Sequence, residues 1–334
     1  MEQIAICIGD TLIYWSGIII ALGVMSCFAM AMALYRPAGG NSRAVWLFLP
    51  LAAVLSVLFS RFLHWYCHAE QYSSLVGALT DYSGGGYCLP GVLLGVLLAA
   101  LILKALGAVR SVGRLLDCVA PGGALLVAAI RLSAFFNSAC RGKITFARPF
   151  FQRLPFASPV VTPSGELEYH LATFFIEFIL MIPVFLLSMS FFLKHRKTPM
   201  ADEKSSNGNS ARYFLLLFCA VELFTDSTRN DSSFLHFNGF VSLVQMVSAI
   251  AILAVLVYYS VRSVRYHGLN RRHWLIWALY FVSLAGVGVM EYLVQRHGNW
   301  SLICYSVMSV SCVVMVITVQ SMYRTLIPEE DEVL

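Results

Sequence analysis

Long apolar runs alternate with short polar breaks along most of the chain. Each run approaches the roughly 20 residues that an α-helix needs to cross a hydrocarbon core. Nine runs are predicted as spanning helices: 12–34, 44–63, 87–105, 115–136, 171–193, 213–227, 240–261, 273–293 and 301–322. The sixth is short and holds Glu222 and Asp226 within its apolar pattern. The breaks differ in kind. Residues 194–212 (KHRKTPMADEKSSNGNSAR) read as a flexible polar linker, and 137–170 is a long segment that mixes basic residues, aromatics and prolines. Its aromatics predict that it lies on the membrane surface.

Composition agrees with the pattern. Of 334 residues, 59% are hydrophobic and 12% charged, against about 25% charged in soluble domains. A soluble globule, a disordered chain and a disulfide scaffold are excluded. The net charge of +5 comes without any long run of like charges, so no nucleic-acid partner is expected. The nine cysteines form no CxxC pair, so neither a zinc ribbon nor a redox dithiol is signalled. No cofactor or metal is expected. MEQIAICIGD carries Glu2 and Asp10 but no Lys or Arg, unlike a secretory leader, so the first run is expected to be a retained span. No internal repeat suggests a transporter.

Charge sets the orientation. With the N-terminus outside, most of the 23 Lys and Arg residues fall on cytoplasmic breaks, and the C-terminus is cytoplasmic. Arg61, Arg131, Arg141, Lys143, Arg148, Arg153, Arg229 and Arg296 lie elsewhere. Arg131 sits inside ALLVAAIRLSAFF, where an arginine is costly unless it is paired or meets a ligand. Arg61 and Arg229 lie near span ends, where a long cationic side chain either snorkels or contributes to an anion pocket. Glu177 in the fifth span is either a functional carboxylate or a partner of Arg131. Asn137 either positions a substrate or caps a helix.

Three further clusters each admit two readings. HWYCH places His64, Cys67 and His68 on one helical face, as an interfacial cluster or an incomplete metal site. Cys67, Cys88 and Cys140 are predicted near the outer face, as free thiols or in a disulfide. Gly84-Gly85-Gly86 reads as a hinge or as an anion cradle.

Taken in order, these motifs resemble the bacterial phosphatidylglycerol–prolipoprotein diacylglyceryl transferases. Asp117-Cys-Val-Ala-Pro121 is similar to that family's D-x-x-A-P. Arg131 opens RLSAFFNSACRG, similar to R-x-G-N-F-x-N-x-E-x-x-G. GGYCLPGVLLG (85–95) resembles G-G-x-x-x-H-G-G-x-x-G, and Ser60-Arg61 resembles the end of G-A-R. Tyr14-Trp15-Ser16-Gly17 stands where the family has W-Y-G, and Glu177 where it has L-Y-E. ELFTDSTR (222–229) resembles R-F-x-x-E-x-x-R, and Gln245 follows where a G-Q opens a helix.

The resemblance covers about residues 10–262. It implies an all-α integral membrane core (1–262), followed by two additional helices and a short acidic cytoplasmic tail (263–334). It implies transfer of a diacylglyceryl group from phosphatidylglycerol to the cysteine thiol of a prelipoprotein signal peptide, in a bacterial inner membrane. Glycerol phosphate is the leaving group. The catalytic candidates are Arg131, His64 and His170. The substrate-binding candidates are Arg61, Asn137, Gly142, Glu177, Asp226 and Arg229.

The departures are chemical. The family His is Pro90, the Tyr of W-Y-G is Ser16, and the signature's first Asn and its Glu are Ala134 and Ala139. The Arg that opens R-F-x-x-E-x-x-R is Glu222, and that motif's Glu is Asp226. A Glu222 near Arg131 would pair with it and repel a phosphodiester. The alternative is therefore a catalytically inactive relative that binds a phospholipid headgroup or a membrane partner.

Overall fold

The computed structural model describes the chain apart from residues 1–3, 9–10, 73, 81–85, 138–139, 163, 196–206, 235–238, 299–300 and 328–334. Gly84, Gly85, Ala139, most of the 194–212 linker and the acidic tail lie outside the described residues. The chain opens with a hairpin, β1 (Ile4–Ile8) and β2 (Thr11–Tyr14), and then α1 (Trp15–Tyr35). The helix α2 (Ser42–Cys67) follows, then short α3 (Leu75–Thr80), α4 (Leu89–Ala105) and α5 (Val112–Ser133). The long segment 137–170 carries a one-turn helix, α6 (Pro149–Gln152), and a second hairpin, β3 (Ala157–Val161) with β4 (Leu167–Leu171). The remaining helices are α7 (Thr173–His195), α8 (Asn209–Thr228), α9 (Leu243–His267), α10 (Arg271–His297) and α11 (Ser301–Arg324).

The chain is an all-α, multi-pass integral membrane protein. Seven of the described helices are long and apolar enough to cross a membrane, namely α1, α2, α5, α7, α9, α10 and α11. Helix α4 is apolar but has 17 residues. The sixth predicted run becomes α8, 20 residues long, extended at its N-terminal end. Its C-terminal half buries Glu222, Thr225, Asp226, Ser227 and Thr228, which is why its hydropathy is weak. Two of the shifted boundaries have a local cause. Residues 12–14 pair in the first hairpin rather than opening the first helix. The seventh span starts at Leu243, where Ser242 and Gln245 form a reciprocal capping box.

Small residues bring backbones together, since no hydrophobic force drives helices together inside lipid. A Cβ on Gly23 of α1 would lie 2.5 Å from the Ala129 Cβ of α5. On Gly95 of α4 it would lie 2.5 Å from the Ser56 Cα of α2. Ser60 then clamps the start of α4, donating to the Cys88 carbonyl (2.8 Å) and accepting from its N–H (2.6 Å). Helix α5 lies against α1, α7 and α8, while α11 packs on α8, α9 and α10. One apolar core runs from Ala124 of α5 through Met181, Leu216 and Ile252 to Met308 of α11.

Asp117 has a structural role. Its Oδ2 accepts from the Gly208 N–H (2.6 Å) and its Oδ1 from the Ala211 N–H (2.8 Å), so α5 supplies the N-terminal cap of α8. Cap removal costs about 1–2 kcal/mol. Asp117→Ala is therefore expected to lower the thermal midpoint in detergent, and Asp117→Asn, which keeps one acceptor, to lower it less. Equal midpoints for wild type and Asp117→Ala would contradict the cap.

Candidate functional site

Arg131 occupies the last turn of α5, where the helix dipole favours a cation. Its guanidinium is buried between two carboxylates. Nε lies 2.7 Å from Glu177 Oε2 on α7, and Nη2 lies 2.7 Å from Glu222 Oε1 on α8. Nη1 donates to Cys140 Sγ at 3.0 Å. Both glutamates are fully buried, and Glu222 Oε2 has no hydrogen-bond partner among the described residues.

One turn beyond Glu222, Asp226 accepts a short hydrogen bond from the Ser242 hydroxyl and lies 3.7 Å from Arg229 Nη1. Arg229 turns mainly to Asp231, with Nε–Oδ1 at 2.9 Å and Nη2–Oδ2 at 3.2 Å. Asp231 also accepts from the Cys140 N–H at 3.0 Å. Burial raises the Asp231 carboxyl, but Arg229 and these hydrogen bonds outweigh it and hold it below its ordinary range. The centre thus sets two guanidiniums against four carboxylates.

Cys140 links the two halves. Its φ of +56° is left-handed, a conformation costing a non-glycine residue about 1–3 kcal/mol that recurs at functional sites. Burial pushes its thiol up to about 11, with Arg229 and Arg131 pulling the other way, so it is uncharged at neutral pH. Next to it, Gly142 donates to the Leu171 carbonyl (2.7 Å) and pairs with Arg229 in a β-bridge. A Cβ on Gly142 would come within 2.9 Å of Thr173 Oγ1, which explains glycine there. Asn137 closes the turn after α5 by donating its N–H to Ala134. The Lys143 N–H donates to the Thr228 carbonyl and the Asn230 N–H to the Arg141 carbonyl, so this segment closes over the C-terminal end of α8.

Arg61 and His64 belong to a neighbouring cluster on α2. Arg61 is buried and donates from Nε (3.0 Å) and Nη2 (2.5 Å) to the Ala78 carbonyl. Its guanidinium lies 5.5 Å from the Tyr87 ring centre. His64 stacks on His68 with ring centres 4.3 Å apart. Gly86 touches both, since a Cβ there would meet His64 Cδ2 and Arg61 Nη1. Cys67 packs with Cys88 and Leu243. All nine cysteines are free thiols, and among the described residues no His, Cys, Asp and Glu set could hold a metal ion. His170 lies in β4, with Nδ1 3.0 Å from the Gly142 carbonyl and Nε2 3.1 Å from Glu168 Oε2. Pro90 sits in the first turn of α4, where a missing N–H costs nothing.

The structure therefore joins Arg131, Glu177 and Glu222, with Asp226, Arg229 and Gly142 directly beyond, and leaves Arg61 with His64 in a second cluster. Sequence reasoning missed the place of Cys140 and Asp231 in the site, which they reach through loop geometry that leaves no periodic signal. It also missed Glu291. This buried carboxylate on α10 accepts from Gln295 Nε2 (2.7 Å), and Gln295 Oε1 accepts from Lys143 Nζ (3.1 Å). A carboxylate inside an apolar span was the available signal.

Residues 3–261 match the family described as prolipoprotein diacylglyceryl transferase. The chain belongs to that family. A phosphatidylglycerol–prolipoprotein diacylglyceryl transferase of Finegoldia magna is 24% identical over 237 residues, covering 70% of this chain and 86% of the relative. One from Acaryochloris marina is 28% identical over 236 residues, covering 68% and 80% respectively. The diacylglyceryl transferase match ends inside α9, so α10 and α11, with Glu291 and Gln295, lie beyond it.

Proposed function

We propose that this chain transfers a diacylglyceryl group from phosphatidylglycerol to the cysteine thiol of a prelipoprotein signal peptide. The reaction takes place at the outer leaflet of a bacterial inner membrane, with the N-terminus outside and the C-terminus cytoplasmic. Residues 1–262 form the transferase core, and 263–334 form an appended helix pair. The observation that carries this reading is the buried Arg131 held between Glu177 and Glu222. Two carboxylates on one guanidinium leave one negative charge in excess, and a proton would neutralise it. Only a thiolate attacks well. The thiol proton passes to Glu222 Oε2, the sulfur bonds to the glycerol carbon, and the bond from that carbon to the phosphate oxygen breaks. Glycerol phosphate leaves with the electron pair. Arg131 orients the carboxylates, Asn137 and Gly142 shape the rim, and Arg229 with Asp226 fixes the outer end of α8. His64, beside Arg61, is the second candidate for the base.

One observation favours a second reading, a lipid-binding relative without turnover. Both central guanidiniums are already taken by carboxylates. Incubating the purified chain with phosphatidylglycerol and a cysteine-bearing signal peptide separates the two. The transferase releases one glycerol phosphate per modified peptide and stops when the peptide cysteine is serine. Lipid retention with no release and no change in peptide mass would establish the second reading.

A further inference from the structure

A phosphodiester must find a cation, and the buried centre does not offer one. Arg131 is held by Glu177 and Glu222, and Arg229 by Asp226 and Asp231. Carboxylates outnumber guanidiniums there, so an incoming anion is repelled, most strongly at low dielectric.

Directly outside lies a cleft of about 210 Å³, lined by Arg141, Val160, His170, Asn230 and Asp231. It opens between the β3–β4 hairpin and the connection from α8 to α9. Its volume is below the roughly 300–1,000 Å³ of sites for drug-sized ligands and is on the scale of a polar headgroup. Arg141 differs from the other arginines of the site. Its Nη1 donates to the Pro159 carbonyl at 3.3 Å, and its Nε is buried without a hydrogen-bond partner among the described residues. No described carboxylate lies within ion-pairing distance of it. The one acidic lining residue, Asp231, is already held by Arg229 and the Cys140 N–H. Both ring nitrogens of His170 face acceptors, the Gly142 carbonyl and Glu168.

We propose that this cleft binds the phosphate of the anionic lipid, with Arg141 as its principal donor and Asn230 and His170 as its walls. The assignment rests on the transferase reading and deepens it. The phosphate site stands outside the buried centre, one residue along the chain from Cys140, and the centre keeps the proton chemistry. A guanidinium suits the task, because its planar fork matches two phosphate oxygens at once.

The test uses the purified full-length chain in detergent with equimolar phosphatidylglycerol and phosphatidylcholine, and counts the co-retained lipids by mass spectrometry. Wild type retains phosphatidylglycerol preferentially. Arg141→Ala is expected to lower that preference about tenfold, and Arg141→Lys to fall between. Arg153→Ala, exposed on the same outer segment, keeps it. Should Arg141→Ala fail to fold, Asn230→Asp adds a negative charge to the cleft wall without removing the Pro159 contact, and lowers the preference likewise. Displacement by glycerol phosphate supports the site as one that takes a soluble phosphate. Displacement by phosphatidylglycerol alone supports it as a site for the lipid headgroup. A folded Arg141→Ala that retains phosphatidylglycerol like wild type overturns the cleft and leaves the transferase reading standing, as does a wild type without lipid preference that still turns over. Wild-type retention lost in Arg141→Ala, without turnover in either protein, overturns the transferase reading and leaves the cleft.

Discussion

Arg131→Leu is expected to destabilise the protein by about 3–5 kcal/mol, as removal of one partner from a buried ion pair does. The side chains of Arg131 and Glu177 are 9% and 1% exposed, so neither glutamate could be rescued by water when the guanidinium leaves. The loss belongs to the uncompensated carboxylates rather than to any contact of the new apolar side chain. The triple variant Arg131→Leu, Glu177→Leu, Glu222→Leu should therefore recover most of the stability while remaining without turnover. Thermal denaturation of the three proteins in one detergent tests this. A single variant as stable as wild type would mean that the three groups are not charged together, and the argument for proton chemistry at the centre would fall with it.

Glu222→Gln is the second large effect, on rate rather than on stability. The amide oxygen still accepts from Arg131 Nη2, and the site loses its excess negative charge. Stability should hold or rise. General-base catalysis contributes about 10²–10⁴-fold, so kcat should fall by that factor while the KM for phosphatidylglycerol stays level or drops. An unchanged kcat would remove Glu222 from the mechanism, and His64→Ala would then be the variant to measure. A fall in kcat/KM carried entirely by KM would assign Glu222 to lipid binding instead.

The helices were legible in the sequence because lipid on one side and protein on the other both demand apolar residues, so the runs are nearly continuous. Helix α8 was hardest to delimit for the reason that makes it useful. Glu222, Asp226, Ser227 and Thr228 all face inward. The two hairpins escaped because a five-residue strand in a loop leaves little trace. Glu177 was readable as a partner for Arg131, since opposite charges inside spans seek each other. The contact between Arg131 and Cys140 was not, because it depends on one left-handed residue. Asp117 was visible as part of a motif, yet its purpose, closing the start of a helix 91 positions away, needed three dimensions.

Helix α8 meets α5 at both ends. At the start of α8 Asp117 of α5 receives two N–H groups, and towards its C-terminal end Arg131 of α5 grips Glu222. Sliding or rotating one helix against the other would break both attachments together. Mechanically the pair is a single beam bolted at each end. Any opening between the helices has to come from elements outside that beam, and Arg131 and Glu222 keep their spacing while the walls around them move.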